Sequence, residues 1–349
     1  MSEKMNGYER CMAALEWKTP DRVPVVPQNS DMAINLSGYG MYECSHNPQK
    51  LASALLEAQE KMQYDGIMLG ADAAILAEAL GCETVYRESD PPAIVNPIIQ
   101  ELSDVDKLSE VDLSKNNRIN TWLEATKICI EKTKGKIFVI CRADQGAFSL
   151  ATLLRGSQQM MLDLAFEEDI PRIMKLLHYC NEVHIRFAEM TKAIGAHATT
   201  CGDAYCGPGL ISPEMYEQYA LPFQQEASRR ITKIIGIPYS IHICGKTDLI
   251  HDLWVQSGAT FFEIDHCTDM KQLREKTMGK IALFGNLDTS MLCFGDSEEV
   301  KTKCKELFEI TMPSSGFILS SGCSMGKNTK EENVLAMVEA AKEFGRYSN

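Results

Sequence analysis

Short apolar runs rich in β-branched residues recur along this chain, separated by longer amphipathic stretches, and this alternation constrains the fold more than any other feature. The runs cover 22–27 (RVPVVP), 66–70 (GIMLG), 136–143 (KIFVICRA), 198–203 (ATTCGD), 239–245 (YSIHICG), 260–265 (TFFEID), 281–286 (IALFGN) and 317–323 (FILSSGC). Helix-like stretches lie between them at 48–63, 169–195, 212–236 and 329–344, with cap signals at Ser212 before Pro213 and at Thr329 three residues before Glu332. Nearly continuous apolar strands alternating with helices predict a parallel sheet covered on its faces. Eight such units predict an α/β fold of the (β/α)8, or TIM-barrel, type. A doubly wound open sheet is the alternative, but no GxGxxG turn follows the first run, so its dinucleotide-binding form has no support.

The rhythm breaks between about 81 and 117, where Pro91, Pro92 and Pro97 interrupt any period. We read this as an irregular insertion after the second strand–helix unit of a single 1–349 barrel domain. It is either a lid or docking flap, or a plain surface loop.

The 349 residues contain no apolar run near the roughly 18 that a membrane span requires. The opening, MSEKMNGYERCMAALEW, reads as an amphipathic helix and not as a secretory signal, which predicts a cytoplasmic protein. Net charge is −13 with no Lys/Arg cluster, which argues against nucleic acid as a partner. Thirteen cysteines, an odd number without an export signal, read as reduced thiols, most of them small buried hydrophobes.

His242 and Cys244 stand two apart on one strand, so they share a face near its carboxyl end. Cys323 ends the last run. In a barrel all strand ends surround one mouth, so Cys323 can join the pair. One imidazole and two thiolates suit Zn2+, with a fourth position for Asp265 or Glu263 of the neighbouring strand, for water, or for substrate. An H-x-C pair is equally a piece of packed core.

Other strand-end residues are candidates of the same kind. Asp203 can orient a metal-bound partner, Tyr205 can stack or hydrogen-bond, and Asn286, Asp288 and Asp72 can face substrate or cap helices. Arg142 and Asp144 read as a simple pair. The remaining histidines, His266 among them, read as ordinary, and Cys267 lies too far into its loop to be assigned.

The segments RCMAALEWKTPDRVPV, AFSLATLLRG, GDAYCGPGLISPEMYEQYALP, HICGKTDLI and SSGCSMGKNTKEENVLAMVEAA together resemble the uroporphyrinogen decarboxylase superfamily. More narrowly they resemble its corrinoid-linked methyltransferases. That resemblance implies a barrel holding zinc through His242, Cys244 and Cys323, with a separate corrinoid protein docking its cobalamin over the mouth. It implies an enzyme moving a methyl group between that cobalamin and a small substrate. We expect O-demethylation of a methoxylated aromatic, with methylation of a coenzyme M-type thiol as the alternative. The decarboxylase fits less well, because it carries arginines after the first strand to bind propionates, whereas this loop, QNSDMAINLSGYG, has none. A non-catalytic corrinoid- or tetrapyrrole-binding barrel is a further reading.

Overall fold

The computed structural model describes residues 3–70, 72–87, 90–312 and 314–347. Seven parallel strands form the main sheet: β1 (Gly66–Leu69), β4 (Phe138–Gln145), β5 (Ala198–Gly202), β6 (Tyr239–Ile243), β7 (Phe261–Ile264), β8 (Ala282–Leu287) and β9 (Phe317–Ser321), hydrogen-bonded in that order. Their residues are buried throughout, as a sheet covered by helices requires. Two short strands, β2 (Glu83–Val85) and β3 (Ala93–Asn96), form an antiparallel pair apart from it.

The first apolar run closes the ring between β9 and β1 without becoming a regular strand. Val26 N–H donates to the Leu319 carbonyl (2.9 Å), Leu319 N–H to that of Pro24 (2.9 Å), and Asp65 N–H to that of Val25 (2.7 Å). Pro24 and Pro27 have no N–H to give, so only an isolated bridge forms where a ladder was expected. The Val25 N–H, left without a ladder partner, finds its acceptor in Asp65. Its carboxylate takes the Val25 N–H (2.8 Å) and two bonds from Arg22 (2.7 and 3.1 Å), and pairs with Arg10, while its own carbonyl accepts from Phe138. Arg10, Arg22 and Asp65 are all nearly inaccessible to water.

Inside the ring, Val26, Met68, Phe138, Ile140, Phe261, Phe284 and Ile318 form an apolar floor. The helix Gly7–Leu15 stops it from below with Cys11, Ala14 and Leu15. Farther along the same inward faces the side chains turn polar: Arg142, Thr200, His242 and Glu263.

Three local expectations are corrected. The stretch 212–236 starts at Ser212, whose side chain accepts from Met215 N–H, but breaks at Ala220 and continues as Leu221–Arg229 and a π-helical Arg230–Ile235. Pro222 cannot donate to the preceding turn, which accounts for the break. Thr329 does not cap the last helix, because its hydroxyl donates to the Gly326 carbonyl and the helix runs Glu331–Glu343 from an N-cap at Lys330. The segment 81–117 is not wholly irregular, since it contains the β2–β3 hairpin. It also lies inside the second unit, before that unit's long helix Asn117–Thr133. From the hairpin, Asp90 pairs with Lys327 beyond β9 (2.9 Å). Among the described residues no helix is long and apolar enough to cross a membrane.

Removing the Asp65 carboxylate leaves two buried guanidinium groups and the Val25 N–H short of an acceptor. Asp65→Ala is therefore expected to lower unfolding free energy by about 3–5 kcal/mol in urea titration. A loss below about 1 kcal/mol would show that the seam does not depend on this group.

Candidate metal centre

His242 is the penultimate residue of β6, Cys244 opens the turn after it, and Cys323 lies just past β9. One ligand atom from each lies within 4.8 Å of the other two. His242 Nε2 is 3.1 Å from Cys244 Sγ. On its far side, Nδ1 donates to the Glu263 carbonyl (3.1 Å), which sets the tautomer and leaves the Nε2 lone pair facing the sulfurs. His242 is buried, and both cysteines are half-buried at the mouth.

The two thiols are hydrogen-bonded to each other. The hydrogen bond from Cys244 holds Cys323 well below the ordinary thiol range, against the effect of burial, and His242 and Arg142 add to the lowering. The same hydrogen bond, followed by burial, pushes Cys244 up. At His242, burial opposes protonation, but the hydrogen bond and charge of Cys323 raise the pKa overall. The arrangement thus favours ionisation at Cys323 over Cys244.

Arg142 does not pair with Asp144 as the sequence reading expected. Its Nη1 is 3.3 Å from Glu263 Oε2, and the other Glu263 oxygen is held by the Thr200 hydroxyl. Asp144 instead accepts from Leu76 N–H (2.8 Å). A Cβ at Gly202 would lie 2.9 Å from Arg142 Nη2, so glycine there makes room for the guanidinium. With Glu263 tied to Arg142 and Thr200, it does not belong to the triad's cluster. Asp265 is likewise engaged elsewhere, accepting from Gly245 N–H (2.8 Å) and Cys267 N–H (3.0 Å). Neither carboxylate offered as a fourth ligand stands with the triad.

A cavity of about 340 Å3 opens over the three residues, walled by Asp31, Asp72, Arg142 and Tyr205. Tyr205 and Asp72 border this cavity, but the Asp72 side chain is inaccessible to water, capping Ala74 N–H (2.9 Å) and pairing with Arg118. Asp203 does not border it. It is buried, with one oxygen accepting from Ser149 N–H (2.8 Å) and the other from Gln224 Nε2 (2.9 Å), so it caps the helix Ala147–Arg155 whose own N-cap is Gly146. Asn286 binds the Asp265 carbonyl (3.1 Å) and, with Asp288, lines a separate cavity of about 380 Å3.

One wall residue escaped the sequence reading, and a second, Arg142, was read only as half of an ion pair. Asp31 is the second residue of the helix Ser30–Ser37 that follows the first run, and burial, then Asp72, raise its carboxyl to about 7. Arg142 shares the inward parity of Phe138 and Ile140, a signal present in the strand pattern.

The uroporphyrinogen decarboxylase (URO-D) family matches residues 6–344. The methylcobamide:CoM methyltransferase MtbA of Methanosarcina acetivorans is 27% identical over 341 residues, spanning 96% of this chain and 97% of its own. The uroporphyrinogen decarboxylase of Carboxydothermus hydrogenoformans is 26% identical over 315 residues, or 89% of this chain and 87% of that one. A solved methyltransferase from Methanosarcina mazei shares the fold, with a TM-score of 0.88 at 23% identity, over 98% of this chain and 99% of that one. Matched along nearly its whole length, from the helix that plugs the barrel to the helix that ends it, the chain belongs to the uroporphyrinogen decarboxylase family.

Proposed function

We propose that this chain is a zinc- and corrinoid-dependent methyltransferase that moves a methyl group from the cobalamin of a separate corrinoid protein to a small thiol. The observation that carries this reading is the convergence of one imidazole and two thiols from distant strand ends onto a cavity of small-molecule size.

The donor set suits zinc. One nitrogen and two sulfurs lie close enough to share an ion, and a carbonyl behind His242 orients it. When bound by His242, Cys244 and Cys323, zinc supplies Lewis acidity that lets a thiol ligand ionise near neutral pH. Both cysteine sulfurs would have to be deprotonated to serve as ligands. Arg142, beside Cys323, offsets the negative charge that results. In the transfer a carbon–sulfur bond forms while the carbon–cobalt bond breaks. Both electrons of that bond stay on cobalt, and the thiol proton departs. Asp31, on the cavity wall with its carboxyl near 7, is the group suited to take that proton.

The likeness to a methylcobamide:CoM methyltransferase favours a thiol acceptor over the methoxylated aromatic that the sequence reading preferred. Decarboxylation of a polyanionic porphyrinogen is disfavoured by the cavity's charge. Arg142, the guanidinium on its wall, is already held by Glu263, and Asp31 on the same wall adds a carboxyl and no cation.

Chelator-washed protein is expected to retain tightly bound zinc by elemental analysis. Cys323→Ser and Cys244→Ser should lose it. Asp203→Asn should keep it while costing about 1–3 kcal/mol of stability, because its place is under a helix and not at the metal. A Cys323→Ser protein with wild-type zinc content would remove the basis of the proposal.

Transfer itself is read from cobalamin absorbance. Methylcobalamin, the protein and a thiol should yield Co(I) and the methyl thioether, at a rate that collapses in Cys323→Ser. No reaction with any thiol, together with methyl-Co(III) formation from Co(I) and methoxyarenes, would replace this assignment with O-demethylation.

A further inference from the structure

We propose a second metal site on the rim, built from His266, Cys267 and Asp288 and oriented by Asp265, that takes a borderline divalent cation such as Zn2+ in exchange with solvent. It stands apart from the triad, in the turns after β7 and β8. It does not depend on the proposed methyl transfer.

The geometry has the parts of a ligand set with its support. Asp265 Oδ1 is 3.0 Å from His266 Nδ1, so the carboxylate holds that nitrogen and leaves Nε2 free to bind. Cys267 Sγ stands 3.3 Å from Nε2, and Asp288 Oδ2, from a different strand end, stands 3.9 Å from it. Tetrahedral zinc with bonds of about 2.0–2.1 Å to nitrogen and about 2.3 Å to sulfur would separate neighbouring ligand atoms by roughly 3.5 Å. Both separations measured from Nε2 are within a few tenths of an ångström of that spacing.

The supporting groups are fixed. Asp265 accepts from the Gly245 and Cys267 amides, so its orienting oxygen is not free to swing. Asp288 spends Oδ1 on Ser290 N–H (2.7 Å), leaving Oδ2 directed to His266. Two carboxylates and a thiol thus gather around a single imidazole, an excess of negative charge that a divalent ion would offset. Exposure separates this set from the other cysteines. Cys267 is the one exposed thiol of the thirteen, while His266 and Asp288 are each 39% exposed. The cavity of about 380 Å3 beside His266 and Asp288 leaves room for a water or small ligand at the remaining position.

The test uses the full chain and Zn2+ itself. Cys267 alkylation by iodoacetamide, followed by peptide mass spectrometry, should slow at least roughly tenfold when Zn2+ is added to wild type. His266→Ala and Asp288→Asn should abolish the protection. In equilibrium dialysis, wild type should bind one more Zn2+ than Cys267→Ser, and Cys323→Ser should keep that exchangeable ion. Equal alkylation with and without Zn2+, or equal binding by wild type and Cys267→Ser, would overturn the site whatever the triad holds. Because Cys267 and His266 are exposed, these substitutions do not open the core.

Discussion

The structure depends on closing a ring whose first segment is ill suited to a sheet. Between β9 and β1 the chain offers a stretch flanked by Pro24 and Pro27, which cannot complete a ladder. Asp65 mends the seam by binding the Val25 amide and the guanidinium groups of Arg10 and Arg22 while its own backbone links that segment to β4. Such a buried cluster repays its desolvation only where nearly every oxygen and N–H is used, and here the carboxylate is surrounded by donors. Without closure, the first turn of the helix bearing Asp31 and the turn bearing Asp72 would not meet Cys323 across one mouth.

Above the seam the barrel interior divides into layers. The floor is apolar and plugged by the first helix, and the next layer carries Arg142, Thr200, His242 and Glu263. A buried Arg–Glu pair is not an efficient stabiliser, since well-packed hydrophobes of the same volume would serve at least as well. Its placement makes sense chemically. Glu263 positions Arg142, its carbonyl orients His242, and Arg142 lies close enough to Cys323 to favour the thiolate. One carboxylic residue therefore sets both the cation and the imidazole of the site.

How much was legible beforehand differs from residue to residue. The strands were, because burial on both faces leaves an apolar signature that periodicity detects, and all but the first run became ladder strands. The His242–Cys244 pair was legible for the same reason, since alternation fixes which side chains share a face. Asp203 misled because a carboxylate after a strand looks alike whether it faces a cavity or caps a neighbouring helix. Only the position of Ser149 and Gln224 separates the two. Asp265 misled in a similar way: its alternation was right, but the Gly245 and Cys267 amides claimed its oxygens. His266 and Cys267 were passed over because loop residues have no period to reveal their direction.

By itself, then, the order of residues determined the class of fold, the strand ends and the face on which each strand-borne candidate lies, because these follow from local periodicity and from the geometry of a polypeptide two or three residues at a time. Tertiary structure alone decided which carboxylates are free and which are spent on amides, which guanidinium meets which acid, and which wall residues crowd the thiols. Those outcomes depend on groups that are remote in sequence, and become neighbours only when the ring of strands is shut.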